Sequence, residues 1–231
     1  MLIAILSVAL AQDVDAALDK FKADLKGKDA AGRGAALAEL AKTQSPKITA
    51  KINSFLVGDI PEVRVAAAGA LALQTEQKKT AVPYLISAAT PNAKNPLVLA
   101  AILAALGKLG DEAGMVEVNK HYGAELDVAK AAIQAASEIK SASSFDPLIK
   151  ELKACDEALK PRDRTQGGGF GGGFGRMDGP NNPREARERA REIQPLIKGL
   201  LASMAGVTCE DGKDWESWWK ENRSKFKPAK S

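Results

Sequence analysis

A helical pattern that recurs about every 30 to 37 residues constrains the fold of this chain more than any other feature. In each copy, the second of two helical segments begins with a proline. Proline suits the first position of a helix because the N–H is not needed there and the φ angle is already helical. The pattern predicts a solenoid of stacked helix pairs, a type of fold that usually provides binding surfaces. The opening prolines are Pro46, Pro83, Pro147 and Pro195.

The first helices of the pairs align as well. The segment that begins at Val63 lies 35 residues before the one at Val98, and a third copy begins at Val128, 30 residues later. Aromatic residues make up only 5% of a chain that is 45% hydrophobic, so the core must consist mainly of Ala, Leu, Val and Ile. Alanine has the highest helix propensity, and no stretch alternates in the way that strands do. The predicted fold class is all-α.

The spacing of the prolines also locates an insertion. From Pro147 to Pro195 is 48 residues, about 16 more than one period, and the glycine-rich segment 167–182 has that length. We therefore expect about five helix pairs over 28–205. Glycine at this density opposes ordering, so a flexible, disordered loop is expected at 167–182, ahead of the last pair. The third pair has Gly114 where the opening proline would be, which makes its second helix the weakest prediction.

The two ends of the chain differ from the repeats. Residues 1–11 are apolar and end in Ala9-Leu10-Ala11, a pattern typical of signal-peptide cleavage, although no basic residue precedes the apolar run. This favours an exported protein of the periplasm or cell envelope, and the alternative is a buried first helix. Residues 12–27 are expected to form a capping helix, and residues 206–231 a tryptophan-rich capping helix and tail. No run reaches the roughly 18 apolar residues of a membrane-spanning helix.

The segment from Asp59 to Leu71 resembles the first helix of a bacterial HEAT repeat, in which an aspartate is followed by Val-Arg, small residues and Ala-Leu. Residues 105–111 keep the end of this pattern, and residues 214–222 are similar to a terminal segment of exported bacterial HEAT-repeat proteins. The resemblance implies a HEAT-like α-solenoid that acts as an interaction module. In this family an aspartate and an arginine often form a ladder between repeats. Only Arg64 matches here, which implies a fragmentary ladder.

All three tryptophans of the chain lie within five residues. Trp215, Trp218 and Trp219 have the spacing that places side chains on one face of a helix. They either cap the last apolar face of the solenoid or form an exposed aromatic platform for a partner.

Cys155 and Cys209 are the only cysteines. In an exported protein they can form one disulfide around the glycine-rich segment, which would stabilise the fold by about 4 kcal/mol. The alternative is two thiols that act as small buried hydrophobic groups.

Lysines recur near the proline-opened helices, which line the inner surface of HEAT stacks. They are candidate partner contacts, and the alternative is ordinary solvated lysines. In the glycine-rich loop, aromatic residues and a nearby arginine resemble arms that stack on RNA bases. This loop is a protein-docking arm, a plain linker or, as the alternative function, a nucleic-acid-binding arm. The candidates are Lys47, Lys51, Lys150 and Lys198 on the helices, and Phe170, Phe174 and Arg176 in the loop.

The sequence contains no catalytic motif, phosphate loop or metal-ligand cluster. His121 is the sole histidine, and we expect it at the C-terminal end of a helix rather than as a base. The net charge of +4, with the signs interspersed, does not by itself indicate nucleic acid. The sequence therefore predicts a non-enzymatic protein-binding scaffold of the bacterial cell envelope, without cofactor or metal.

Overall fold

The computed structural model describes residues 2–161 and 183–226, with side chains from residue 13 onward. The chain divides into two units: the first ends at Ser141 and the second begins at Ala142. Within the described ranges all regular structure is helical and no strand is present, which confirms the all-α prediction.

The first unit contains eight of the described α-helices: α1 (Leu2–Leu25), α2 (Ala30–Leu40), α3 (Pro46–Asn53), α4 (Pro61–Ala72), α5 (Lys78–Ala89), α6 (Pro96–Leu109), α7 (Met115–Val118) and α8 (Leu126–Ile139). The second unit contains α9 (Phe145–Leu159), α10 (Pro183–Ala205) and α11 (Gly212–Asn222).

Capping residues determine where several helices begin and end. Ser45 accepts a hydrogen bond from the backbone N–H two residues later, and Pro46 occupies the first position of α3, as predicted. Asn95 caps α6 in a similar way, and Asp211 accepts two backbone N–H groups at the start of α11. At the other end of α6, Gly110 has φ +61°, a left-handed conformation that favours glycine.

Within the first unit the helices pack in two rows. In one row α1 packs on α2, α2 on α4, α4 on α6 and α6 on α8. In the other row α3 packs on α5, and α5 contacts the short 3-10 turn that leads into α7. The first and second helices of the predicted pairs therefore occupy separate rows.

Buried residues recur along both rows. Buried positions of α4 reappear 35 residues later in α6, and those of α6 reappear 30 residues later in α8, which are the spacings predicted from the sequence. In the second row, three buried positions recur at intervals of 33 residues. The first-row residues are Val63, Ala67 and Leu71, then Val98, Ile102 and Leu106, then Val128, Ala132 and Ala136. The second-row residues are Ile48, Thr49 and Ile52, then Ala81, Val82 and Leu85, then Gly114, Met115 and Val118.

Two of the prolines predicted to open helices lie inside helices, so this part of the prediction was wrong. Pro83 is the sixth residue of α5, and Pro195 lies in the middle of α10. An internal proline removes a backbone hydrogen bond and costs about 3 kcal/mol. Both prolines are exposed, however, so the carbonyl that loses its partner can bond to water. The helical turns that precede the two prolines bury apolar side chains such as Val82 and Ile193, and this burial offsets the cost of the lost backbone hydrogen bond.

The pair predicted at the end of the repeats is consequently a single helix. α10 runs without interruption over 23 residues and takes the place of both predicted helices. Pro147 is the third residue of α9 instead of the first, a position that is tolerated because the N–H groups of the first turn are not bonded within the helix. The second unit therefore does not contain the fifth helix pair, and α7, the weakest predicted helix, has only four residues.

α1 extends from Leu2 to Leu25, so the predicted capping helix is the C-terminal part of a longer helix. Of its predicted apolar stripe, Phe21 is buried and packs edge-on against Phe55 with 5.7 Å between the ring centroids. Val14 and Leu25 on the same stripe are half-buried. Among the described helices, none combines the length and the hydropathy needed to cross a membrane.

Candidate functional site

The first unit has an open groove between α1 and α3, with a volume of about 680 Å³. Two of the lysines predicted as partner contacts, Lys47 and Lys51, line it from α3. The remaining lining residues are Leu18, Ala50 and Ser54 together with Asp15, Asp19 and Lys22. The groove therefore combines an apolar floor with charges of both signs.

Ion pairs hold several of these charges in place. The ammonium of Lys47 lies 2.5 Å from a carboxylate oxygen of Asp15, which links α3 to α1. Lys22 bonds to Asp19 at 2.8 Å, and this bond and the charge of Lys22 hold the pKa of Asp19 below its usual value. The ammonium of Lys51 lies 5.3 Å above the ring of Phe55, within range of a cation–π interaction. The side chains of the two ion pairs are mostly exposed to solvent, so each ion pair contributes little to stability. Lys51 and Phe55 are both half-buried.

The other two predicted lysines belong to the second unit. Lys150 is exposed on α9, and Lys198 is half-buried on α10. Lys150 lines a pocket of about 290 Å³ between α9 and α11, together with Asp146, Ile149, Lys153, Glu216, Trp219, Lys220 and Arg223. The structure thus divides the four predicted lysines between two separate depressions and the face of α10.

One carboxylate in this α9/α11 pocket forms ion pairs with two lysines. One oxygen of Glu216 lies 3.0 Å from the ammonium of Lys153, and the other lies 3.5 Å from that of Lys220. The hydrogen bond from Lys153 and the two positive charges hold the pKa of Glu216 below its usual value, so the group is ionised at neutral pH.

The tryptophan cluster packs inside the second unit. Trp215 is fully buried, and Trp219 is 7% exposed and stacked on Phe145, with 4.3 Å between the ring centroids and 10° between the planes. The ring of Phe226 packs edge-on against the rings of Phe145 and Trp219. An exposed platform of all three tryptophans is therefore wrong, because Trp215 and Trp219 are buried. Only Trp218 keeps partial exposure.

The candidates in the glycine-rich loop, Phe170, Phe174 and Arg176, lie outside the described residues. The predicted loop over 167–182 lies outside them as well.

Both cysteines are free thiols, so the disulfide considered from the sequence is not formed in this structure. Cys155 is buried on the inner face of α9, where loss of solvation and the nearby Glu151 carboxylate raise the pKa of the thiol to about 11. Cys209 is half-buried, and burial raises its pKa as well. A raised pKa keeps both side chains protonated and poorly nucleophilic at neutral pH.

His121 lies in the turn that follows α7. Its Nε2 is 2.9 Å from one oxygen of Glu117, and the ammonium of Lys120 is 2.6 Å from the other. The Glu117 carboxylate is nearly buried, and these two bonds satisfy it. This arrangement is a structural ion cluster at the end of a short helix. No group of three or more metal-ligating side chains occurs among the described residues.

Polar side chains link successive helix pairs of the first unit. Asp59, at the start of the HEAT-like segment, forms an ion pair with Arg33 of α2. Arg64 of α4 donates to the backbone carbonyl of Asp59 and, at 3.1 Å, to the side-chain oxygen of Asn92 after α5. Asn92 in turn donates to the carbonyl of Leu56 at 3.0 Å. These bonds connect the first predicted pair (28–57) to the second (59–90) and to the turn after α5, and only Asp59 and Arg64 among these side chains belong to the HEAT-like pattern.

Buried Gln74 forms a second link. Its amide donates to the carbonyls of Ala41 and Thr43 and accepts from the hydroxyl of Thr49, and the side chain is fully buried. Neither Gln74 nor Asn92 could be singled out from the sequence, because amides in turns are normally solvated.

Neither the comparison with protein-family models nor the comparison with curated proteins finds a match to this chain.

Proposed function

We propose that this chain is a non-enzymatic protein-binding scaffold of the HEAT-like α-solenoid type, and that its partner binds on the surface formed by the second helices. The observation that carries this proposal is the common burial register of the second row. Three positions are buried at the same spacing in α3, in α5 and in the turn and helix of α7. A shared buried face leaves a shared exposed face, which is how repeat proteins build extended binding surfaces.

The exposed positions of the second row support the same conclusion. Ala50 of α3 and Ser54, which directly follows α3, are exposed. Pro83 and Ser87, which occupy the same positions 33 residues later in α5, are exposed as well. Small side chains on this face leave the α1/α3 groove open, while Lys47 at its rim supplies charge. A surface with an apolar floor and a charged rim has the composition of a protein interface.

We place this scaffold in the cell envelope because residues 1–11 end in a signal-peptide-like Ala9-Leu10-Ala11. Cleavage after Ala11 would leave Gln12 as the first residue of the mature chain.

Site-specific photocrosslinking in native cells tests the proposal. A photoreactive amino acid is placed at Ala50, on the second row, and in a matched variant at Ala38, which is exposed on α2 of the first row. Both positions are alanine and both are exposed, so the variants differ only in the surface they sample. Crosslinked products are purified with and without nuclease and identified by mass spectrometry, and the same samples show whether the chain begins at Gln12.

We expect a discrete envelope protein crosslinked at Ala50, insensitive to nuclease and absent at Ala38. Equal yields at the two positions would show that the second row is not a dedicated surface. Products that disappear with nuclease would replace the scaffold function by association with nucleic acid.

A further inference from the structure

The α9/α11 pocket of the second unit carries an excess of positive charge. Its lining includes three lysines and one arginine but only two carboxylates. Glu216 already serves both Lys153 and Lys220. Lys150 and Arg223, which also line the pocket, form an ion pair with no carboxylate in the described part of the chain.

This arrangement is incomplete as a salt-bridge network. Cations held around one depression repel one another unless each finds an anion, and water screens this repulsion only partly when the groups line a concave surface. An external carboxylate that entered the pocket would lie near Lys150 and Arg223 and could be bonded by both. Arg223 would bind it in a bidentate manner, a geometry that suits carboxylates. Asp146, at the edge of the same pocket, opposes anions and limits how many can enter.

An apolar wall accompanies the charges. Trp219 and Ile149 line the pocket, and the ring of Trp219 is held in place by its stacking on Phe145. Trp219 is 7% exposed and Ile149 is 4% exposed, so together they offer an apolar edge next to Lys150 and Arg223, and such an edge fits a segment that presents acidic side chains together with one apolar side chain. Resting on the proposed protein-binding function, we infer that the α9/α11 pocket binds an acidic peptide segment of the partner, with its carboxylates on Lys150 and Arg223 and an apolar side chain against Trp219 and Ile149.

Titration of the full-length protein with a labelled peptide tests this assignment. The probe is a fluorescein-labelled peptide that alternates glutamate pairs with single leucines, and the reference probe has glutamine in place of every glutamate. Binding is followed by fluorescence anisotropy at low and at near-physiological salt. Tryptophan emission gives a second readout, because all three tryptophans lie in this unit and Trp219 lines the pocket.

The test variant reverses two pocket charges (Lys150→Glu with Arg223→Glu). The matched control reverses two exposed lysines of α5 (Lys78→Glu with Lys79→Glu), which changes the net charge of the protein by the same amount. All four residues are exposed, so neither variant is expected to disturb folding. We expect the pocket variant to bind the acidic peptide at least about tenfold more weakly and the control less than about twofold more weakly. The glutamine peptide should bind neither variant nor the wild type.

Any of four results would overturn the inference. Equal weakening in both variants would show that only the net charge matters, and equal binding of the glutamine peptide would show that the cations are not used. Displacement of the peptide by a short oligonucleotide that itself binds the pocket more tightly would make the occupant a nucleic acid. If the acidic peptide does not bind but the Ala50 crosslink still captures a protein, the pocket assignment alone is lost. If the crosslink also fails, the scaffold function is lost.

Discussion

Replacing Gly107 by alanine tests how closely α6 and α8 pack. A Cβ atom at this position would lie 2.7 Å from the Cα of Ala135 and 2.7 Å from a carboxylate oxygen of Glu138. The carboxylate ends a flexible, exposed side chain and can move away. The Cα of Ala135 belongs to the backbone of α8, so it can move only if the helix moves. The single added methyl group therefore has to separate two helices of the first row.

The expected change in the free energy of unfolding is the sum of two opposing effects. Alanine is favoured over glycine within a helix by about 1 kcal/mol, whereas overpacking a well-packed site typically costs about 1 to 3 kcal/mol. Gly69 of α4 provides the matched control, because a Cβ there would meet no atom within 4 Å. We expect Gly69→Ala to stabilise the protein by about 1 kcal/mol and Gly107→Ala to be neutral or destabilising by up to about 2 kcal/mol. The difference between the two variants is the overpacking energy itself.

The assay must report on the first unit. All three tryptophans lie in the second unit, so their fluorescence does not follow α6 and α8. Urea unfolding is therefore followed by far-UV circular dichroism, and amide hydrogen exchange is measured for peptides from α6 and α8. Exchange in these peptides should become faster in Gly107→Ala and not in Gly69→Ala. If both variants raise the unfolding midpoint equally, α6 and α8 do not approach as described, and the packing argument is refuted.

Two further predictions concern the second unit. Trp215→Ala should lower the free energy of unfolding by about 3 to 5 kcal/mol because the side chain is fully buried. Trp218→Ala should lower it by less because Trp218 is partly exposed. Both changes are measured by following unfolding through the emission of the remaining tryptophans. Iodoacetamide at pH 8 should alkylate Cys209 well before Cys155 in the native protein, because Cys155 is buried and has a pKa of about 11. Mass spectrometry of samples taken over time measures the two rates of alkylation. Early labelling of Cys155 would contradict its burial.

The sequence predicted the all-α fold and the spacing of the helices α4, α6 and α8 well, because the signal is carried by many small residues at a fixed spacing. The offsets from Val63 to Val98 and on to Val128 recur as burial offsets in the structure. A buried helix face needs only approximate apolar character at the right period, so the period remains visible even when the individual residues change. Pro46, preceded by a capping serine, was correctly placed at the start of a helix.

Pro83 and Pro195 did not mark the beginning of a helix, because no residue before them interrupts the helical segment. Pro83 has no capping residue immediately before it, and the turns ahead of it supply buried side chains, so α5 begins five residues earlier. Pro195 also lacks a capping residue immediately before it, and α10 begins well before it, at Pro183. A proline is compatible with the first turn of a helix, and a capping residue before it adds a signal that the helix begins there. The capping serine distinguishes Pro46 from Pro83 and Pro195. The cap is not required, however, because Pro61 begins α4 after Ile60, which forms no capping side-chain hydrogen bond.

The polar links could not be predicted for a different reason. Gln74 and Asn92 lie in turns, where amides are usually solvated, and their burial depends on carbonyls that are distant in the sequence. Arg33 does not occupy the arginine position of the HEAT pattern, yet it forms the ion pair with Asp59. Only the three-dimensional arrangement of the turns decides which polar side chains find such partners.

The third pair limits the surface that a partner can use. α7 is only one turn long and includes Glu117, and Tyr122 in the chain that follows it is buried. Exposed second-row positions are consequently provided mainly by α3 and α5, next to the groove that α3 forms with α1. A partner that binds this row should therefore make most of its contacts with α3 and α5, which is why the crosslinking position is placed on α3.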